Sequence, residues 1–415
     1  MKKFSKVLAI ALAGVMTLGL CACGSAADTA SSATDNAEAT SEAAAEATSN
    51  VKIGFICLHD ENSTYDLNFI NGAKEACDAA GIEYVIKTGI PEGQECYETA
   101  ADLADQGCNI VFADSFGHED YMIEAAKEYP DVQFCHATGT QAHTAGLSNF
   151  HNAFASIYEG RYMAGIAAGM KLNEMIEAGE ITAEEAKMGY VGAYTYAEVI
   201  SGYTSFYLGA KSVCPSVTME VTFTGSWYDE TAEKEGANNL INDGCVLISQ
   251  HADSMGAPTA CEDAGVPDVS YNGSTASACP NTFIVSSRIN WAPYFTYICD
   301  CVANGKAIDT DWVGSIATGS VVLTDLGGAA AAGTAEAIEE AKKGFEAGTL
   351  HAFDISTFTV GGETLSSYTA DVDTDPEYTP DTEAIKDGYF AESASRSAPY
   401  FDVQIDGITL LDTAF

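Results

Sequence analysis

From Val51 onward the apolar and polar positions switch repeatedly between two periods. Short apolar runs are separated by longer segments in which apolar residues recur every three or four positions. "VKIGFICLH", "IEYVIKT", "CNIVFAD" and "DVQFCHAT" predict strands. "YDLNFINGAKEACDAAG", "GQECYETAADLADQG" and "HEDYMIEAAKEYP" predict the helices between them. In the first helix Ile70, Ala73, Cys77 and Ala80 are predicted to share one face, and Gly81 marks the stop. A long helix around "YEGRYMAGIAAGMKLNEMI" then opens a second series. Its strands are "KMGYVGAY", "TMEVTFTG", "CVLISQ" and "DVSYNG", and its helices are "EVISGYTSFYLGAKSV", "ETAEKEGANNLINDG" and "GAPTACEDAG". Strict strand and helix alternation of this kind predicts an α/β protein of two doubly wound parallel-sheet lobes.

The first lobe is expected over 51–149, with a return segment at about 286–308. The second is expected over 150–285, completed by about 309–415. The tail is less regular: a Gly/Ala-rich, partly helical "LGGAAAAGTAEAIEEAKKGFEAG", polar turns, and a final strand-like "YFDVQIDGITLLD". Ligands of doubly wound sheets sit beyond the carboxyl ends of the strands. Two such lobes in tandem therefore predict a cleft between them, closed by a hinge.

The N-terminus departs from this pattern. "MKKFSK" is basic, the 14 residues "VLAIALAGVMTLGL" are apolar and "LCAC" follows, so 1–22 reads as an export signal too short for a permanent span. Leu20 and Ala22, at −3 and −1 of Cys23, resemble the lipobox of bacterial lipoproteins, which implies cleavage before Cys23 and lipid on its sulfur. Residues 23–50, rich in Ala, Ser, Thr and acid, are too poor in bulky apolar groups to fold and read as a tether. The expected location is the outer face of the bacterial cytoplasmic membrane, with the lipid as the sole membrane contact.

Charge narrows the partners. Against 60 acidic residues stand 18 Lys and Arg, a net charge of −42, which repels nucleic acid and anionic membrane. The only arginines are Arg161, Arg288 and Arg396, too few to favour a phosphorylated ligand. Thirteen cysteines show no zinc spacing, and many fall in apolar strands or helix faces, as Cys57, Cys77, Cys108, Cys135 and Cys245 do. Buried free thiols are expected.

No GxSxG, HExxH, Walker A or GxGxxG motif is present, and the seven histidines have no metal spacing. The expectation is a binding protein, with neither catalytic residues nor a metal or cofactor. The predicted strand ends instead carry aromatics beside hydrogen-bonding groups. Tyr65 and Asp66 follow the first strand, and Ser115 and Phe116 the third. In the second series come Tyr194 and Glu198, then Trp227, then His251 and Asp253, with Asn290 and Trp291 near the return to the first lobe. Asp66 and Asp253 can each also be read as helix N-caps. Aromatic faces with a few directional donors and acceptors suit a flat, neutral heteroaromatic ligand, and suit a sugar as well.

"FHNAFASIYEGRYMAGIAAGM", "GYVGAYTYAEVISGYTSFYLGAKSVCPSV", "GSWYDETAEKEGANNLINDG" and "SQHADSMGAP" together resemble the basic membrane protein, or PnrA-like, family of ABC-transporter substrate-binding lipoproteins. The resemblance runs from about Val51 to about Gly319. It implies a type I periplasmic-binding-protein fold, an ABC permease as partner and a purine nucleoside or purine base as ligand. It places Tyr65 at a stacking position, Trp227 and Asp253 in "SWYD" and "QHADS", and Asn290 and Trp291 in "NWAPY". The residues around Tyr65 depart from the family pattern, and the lysine that contacts ribose has no counterpart beyond Arg288, which tilts the expectation towards a base. The alternatives are a receptor for a sugar or autoinducer-like molecule, and a surface nucleoside hydrolase using Asp253 or Asp66.

Overall fold

The computed structural model describes residues 50–372 and 380–413. The expected signal peptide, Cys23 and the tether lie outside the described residues. Two mixed α/β layers are built on two separate sheets. The first contains β1 (Lys52–Ile56), β2 (Glu83–Lys87), β3 (Ile110–Ala113), β4 (Gln133–Ala137), β5 (Phe150–Ala155) and β11 (Asp311–Gly314), all parallel, in the order β2-β1-β3-β4-β5-β11. On one face lie α1 (Thr64–Ala80) and α8 (Ala292–Ala303), which pack together. On the other face α2 (Gln94–Asp105) and α3 (Glu119–Glu128) bury Cys96, Ala100, Leu103 and Met122 against Ile56, Val111 and Phe134. Strands covered on both faces must be apolar throughout, as "IVFA" of β3 is.

The second sheet contains β6 (Lys187–Gly192), β7 (Thr218–Phe223), β8 (Leu247–His251), β9 (Asp268–Tyr271), β10 (Phe283–Ile289), β12 (Val321–Leu323) and β13 (Ile408–Leu410), in the order β12-β10-β9-β8-β6-β7-β13. Only β12 runs antiparallel to its neighbour. α6 (Glu230–Asn242) and α7 (Gly256–Ala264) cover one face. Against the other lie α4 (Ile157–Ala178) and α5 (Ala197–Val213), which pack on each other. Their approach explains the glycines of "YEGRYMAGIAAGM". A Cβ on Gly165 or Gly209 would come within 2.0 Å of the Phe206 or Tyr162 carbonyl oxygen, so side chains are excluded at the crossing.

Every helix expected from the sequence forms, with the differences at particular residues. Ala80, the last residue of α1 before its Gly81 cap, is exposed, whereas Ile70, Ala73 and Cys77 are buried as expected. β5 and β10 were not anticipated as strands. β5 belongs to the first sheet, so the chain leaves that sheet after Ala155 and not at 149. β11 also returns to the first sheet, so the segment from 309 onward does not serve the second lobe alone. Among the described residues the cysteines are buried and unpaired.

Three segments cross between the sheets: β5 to α4, β10 to α8, and β11 to β12. They are hydrogen-bonded to one another. Ser156 N donates to Gly314 O at 2.8 Å, Asn290 N to Ser320 O at 2.7 Å, and Ile316 N to Glu159 Oε2 at 3.4 Å. Burial pushes the Glu159 carboxyl up to about 7, against the Ile316 N–H, which holds it down. The folded state therefore keeps a proton there that the unfolded chain releases near 4.5, and stability is lost as pH rises through that window. Glu159→Gln should gain a few degrees of Tm on the wild type between pH 4.5 and pH 8. Parallel melting curves at the two pH values check this, and an unchanged gap would contradict it.

Candidate functional site

The carboxyl ends of the strands of both sheets face one another across a narrow cavity, the place where ligands of doubly wound sheets sit. From the first lobe come Leu58 and His59 after β1, Tyr65 and Asp66 on the first turn of α1, Ser115 and Phe116 after β3, and Thr138 after β4. From the second come Glu198 on α5, Trp227 after β7, His251 and Asp253 at the end of β8, and Tyr271 ending β9. The lobes touch across the opening. Thr64 N, an orphan donor at the start of α1, donates to the Asp253 carbonyl at 3.0 Å, and Asn68 Nδ2 donates to Asn272 Oδ1 at 3.3 Å. Opening the cleft leaves that helix end without its cross-lobe acceptor.

The walls combine rings with titratable groups. Tyr65 is pinned edge-on to Phe69, with 4.8 Å between centroids, and its hydroxyl donates to Asp114 O at 2.8 Å. Trp227 is held edge-on by Tyr194 at 5.1 Å, which itself stacks on Tyr196 at 5.0 Å. Asp253 is 4% exposed. Burial pushes its carboxyl well above the ordinary range, and the charges of Asp66, Glu233 and Glu198 add to the effect. This favours a protonated carboxyl, able to donate and accept at once. Asp66 goes the other way. Burial would raise it, but hydrogen bonds from His59 and Ser63 outweigh burial and hold it below its usual value. Its oxygens accept from His59 N at 2.7 Å and Ser63 Oγ at 2.6 Å.

Beneath the cavity floor lies Arg161, fully buried and without an ion pair among the described residues. Its guanidinium is 5.0 to 5.3 Å from the rings of Tyr190, Phe206 and Tyr271. Arg161 Nη2 donates to Tyr190 Oη at 2.9 Å and to Ser249 Oγ at 2.8 Å. With its oxygen accepting from Arg161, the Tyr190 hydroxyl has its proton free for His251 Nδ1, 3.4 Å away. Burial lowers the His251 pKa and keeps the ring neutral, so the remaining proton sits on Nε2, 3.4 Å from Glu198 Oε1. Tyr190→Phe should release this tautomer. The expected result is a mixed Nδ1/Nε2 pattern in the ¹⁵N spectrum of His251 and a Tm a few degrees lower, the latter because Arg161 loses a buried acceptor. An unchanged spectrum would show that another group sets the tautomer.

Of the residues anticipated at the site, Tyr65, Asp66, Ser115, Phe116, Glu198, Trp227, His251 and Asp253 line the cavity. Tyr194 stands one layer behind, as the support of Trp227. Trp291 is 1% exposed and lies in the first-lobe core, stacked on Phe69 at 4.4 Å and on Phe295 at 6.0 Å. Asn290 belongs to the crossing, where its amide donates to Gly319 O and accepts from Ala292 N. Arg288 does not line the cavity. Neither acid serves as an N-cap: Ser63 caps α1, and α7 begins after Met255. Ser115 Oγ donates to Glu92, leaving its oxygen to accept. Four wall residues were not anticipated: Leu58, His59, Thr138 and Tyr271. His59, Thr138 and Tyr271 occupy the strand-end positions that singled out the others, so the same rule would have found them. The buried Tyr271 hydroxyl has no partner among the described residues.

A family model described as ABC transporter substrate-binding protein PnrA-like matches residues 56–344. The chain belongs to this family. Among its relatives, a purine-binding protein of Brucella abortus is 32% identical over 267 residues, which cover 63% of this chain and 71% of that one. A candidate ABC-transporter glucose-binding protein of Haloferax volcanii is 30% identical, over 61% of this chain and 60% of its own length. In fold the chain is similar to an ABC-transporter solute-binding protein of Conexibacter woesei, with a TM-score of 0.60, 19% identity, and 72% of this chain and 98% of that one covered. A solute-binding protein of Aeropyrum pernix gives a TM-score of 0.62 at 16% identity, covering 73% and 93%. The fold is the type I periplasmic-binding fold, and PnrA-like proteins bind substrates for ABC transporters. Among the described residues no helix is long and apolar enough to cross a membrane.

Proposed function

We propose that the chain is an extracytoplasmic receptor, tethered through lipid on Cys23, that closes its lobes around a purine base or nucleoside and presents it to an ABC permease. The observation that carries this reading is the composition of the cavity: ring faces from both lobes beside a narrow set of polar edges. Tyr65 from the first lobe and Trp227 from the second bound the ligand, with Phe116 at the mouth. Stacking on such faces contributes about 1–3 kcal/mol per ring. Two faces and one or two hydrogen bonds to charged or buried groups then reach the roughly −8 kcal/mol of a micromolar complex. Asp253, His251, Glu198 and the Tyr271 hydroxyl read the polar edges. No bond chemistry is required, since closure exchanges solvent for these contacts and the Thr64 to Asp253 bond latches the closed form. The Brucella relative supports a purine.

The Haloferax relative favours a second reading, a monosaccharide held by the same rings and carboxyls. Denaturing the protein as purified and analysing the released small molecules by absorbance and mass spectrometry separates the two. A purine chromophore in near one-to-one amount is expected, and a hexose or pentose in its place would overturn the purine assignment.

A further inference from the structure

Residues beyond 344 lie outside the matched family model, yet they do not trail away from the cleft. β13 extends the second sheet beside β7, and Asp412 Oδ2 accepts from Thr222 Oγ1 at 2.8 Å and Phe223 N at 3.3 Å. Farther back, Ser397 N donates to Asp311 Oδ1 at 2.9 Å on β11 of the first sheet. The segment between these anchors passes over the mouth of the cleft. Arg396, Ala398 and Pro399 wall a second chamber of about 200 Å³, together with Thr140, Tyr196 and Ala197. The chamber shares Phe116, Thr138 and Glu198 with the first cavity, so the two adjoin across these side chains.

The wall has a definite chemistry. Phe116 and Tyr196, 41% and 42% exposed, present two rings with centroids 5.4 Å apart at the junction. Hydroxyls come from Thr138 and Thr140, and a carboxylate from Glu198. Thr138, the residue common to both chambers, has φ of 64°, a conformation costly for a β-branched side chain and most often kept at functional positions. The one cation of the lining, Arg396, is turned onto its own loop. Its Nε, Nη1 and Nη2 donate to the carbonyls of Ala398, Asp371 and Pro399, which engages three of its five N–H donors in holding the wall.

We propose that the segment 396–399 builds a subsite for a neutral, hydroxylated substituent of sugar size attached to the ring system held in the first cavity, and that it rejects a phosphate there. Aromatic faces with acceptors and hydroxyls bind such a group, and a carboxylate beside it repels an anion. The proposal rests on the purine reading and adds that a nucleoside is held through a wall the matched family region does not supply.

The test is calorimetric titration of the ligand-free protein with adenine, adenosine and adenosine 5′-monophosphate, using the wild type, Thr140→Phe and Ala398→Phe, both at positions that line the second chamber and not the first. The wild type should bind adenosine at least tenfold more tightly than the monophosphate. Both variants should weaken adenosine at least tenfold while leaving adenine within threefold. Should Ala398→Phe fail to fold, Thr140→Phe, at a half-buried loop position, carries the comparison alone. Parallel losses for adenine and adenosine, no loss for either, or a monophosphate bound as well as the nucleoside would overturn the subsite. If the wild type binds adenine but not adenosine, the subsite falls and the purine reading stands. If it binds neither, the purine reading falls and the subsite with it.

Discussion

Asp253→Ala should weaken ligand binding at least tenfold while moving the Tm by no more than a degree or two. The carboxyl is 4% exposed and sits among Asp66, Glu233 and Glu198, so the folded protein is not stabilised by its charge. Its backbone is what ties the lobes, through the carbonyl that accepts from Thr64 N, and that survives the substitution. What is lost is the side chain's donor and acceptor inside a closed cavity, which leaves ligand polar groups unpaired at about 1.5–3 kcal/mol, roughly 10- to 150-fold. Asp253→Asn keeps one donor and one acceptor, so it should retain most of the affinity if the carboxyl binds in its protonated form. Calorimetry of the three proteins with the same ligand checks this. Equal losses for Ala and Asn would mean that the ionised carboxylate is the binding form, and no loss for Ala would remove Asp253 from the site.

Trp227→Ala should produce a loss of similar size by a different route. The indole is partly exposed and held by Tyr194, so the fold does not depend on it, but it is the largest ring that the second lobe brings to the cavity. Removing it forfeits one stacking face and enlarges the cavity towards solvent. The expected loss is about 1–3 kcal/mol, appearing mainly as faster dissociation. Trp227→Phe should recover part of it. Stopped-flow dissociation rates distinguish a stacking role from a gating role: a slower association with unchanged dissociation would show that Trp227 gates entry and does not hold the ligand.

The two lobes were legible in the chain because most of the parallel strands, covered on both faces, are near-continuous apolar runs, and the intervening helices carry one apolar stripe. The strand ends were legible for a related reason: polar or aromatic residues directly after an apolar run have nowhere to go but the cleft. That logic placed Tyr65, Trp227, His251 and Asp253 at the cavity. It misplaced Trp291, because a large aromatic two residues past a strand end looks the same whether it faces the cleft or, as here, fills the core beside Phe69. Asn290 was misread likewise, since a crossing between lobes needs its turn-forming amide as much as a ligand would. β5 and β10 escaped notice because polar residues interrupt them: His151 and Asn152 in one, Ser286 and Ser287 in the other. These are buried in the structure, with His151 satisfied by Gln133 Oε1 and Asp309 O. The role of the tail was invisible for a further reason. Arg396 gathers carbonyls from Asp371 to Pro399, and no local period reports contacts that span such distances.

An interlobe cavity built for purines must take them up and leave free sugars in solution. The most direct test is titration of the ligand-free protein, from about residue 49 onward, with adenine, hypoxanthine, adenosine, glucose and ribose under one set of conditions. Saturable one-to-one binding of at least one purine at micromolar Kd or tighter is expected, with a negative heat-capacity change from burial of the ring faces, and no saturation by either sugar. Saturation by glucose or ribose with no response to any purine would contradict it.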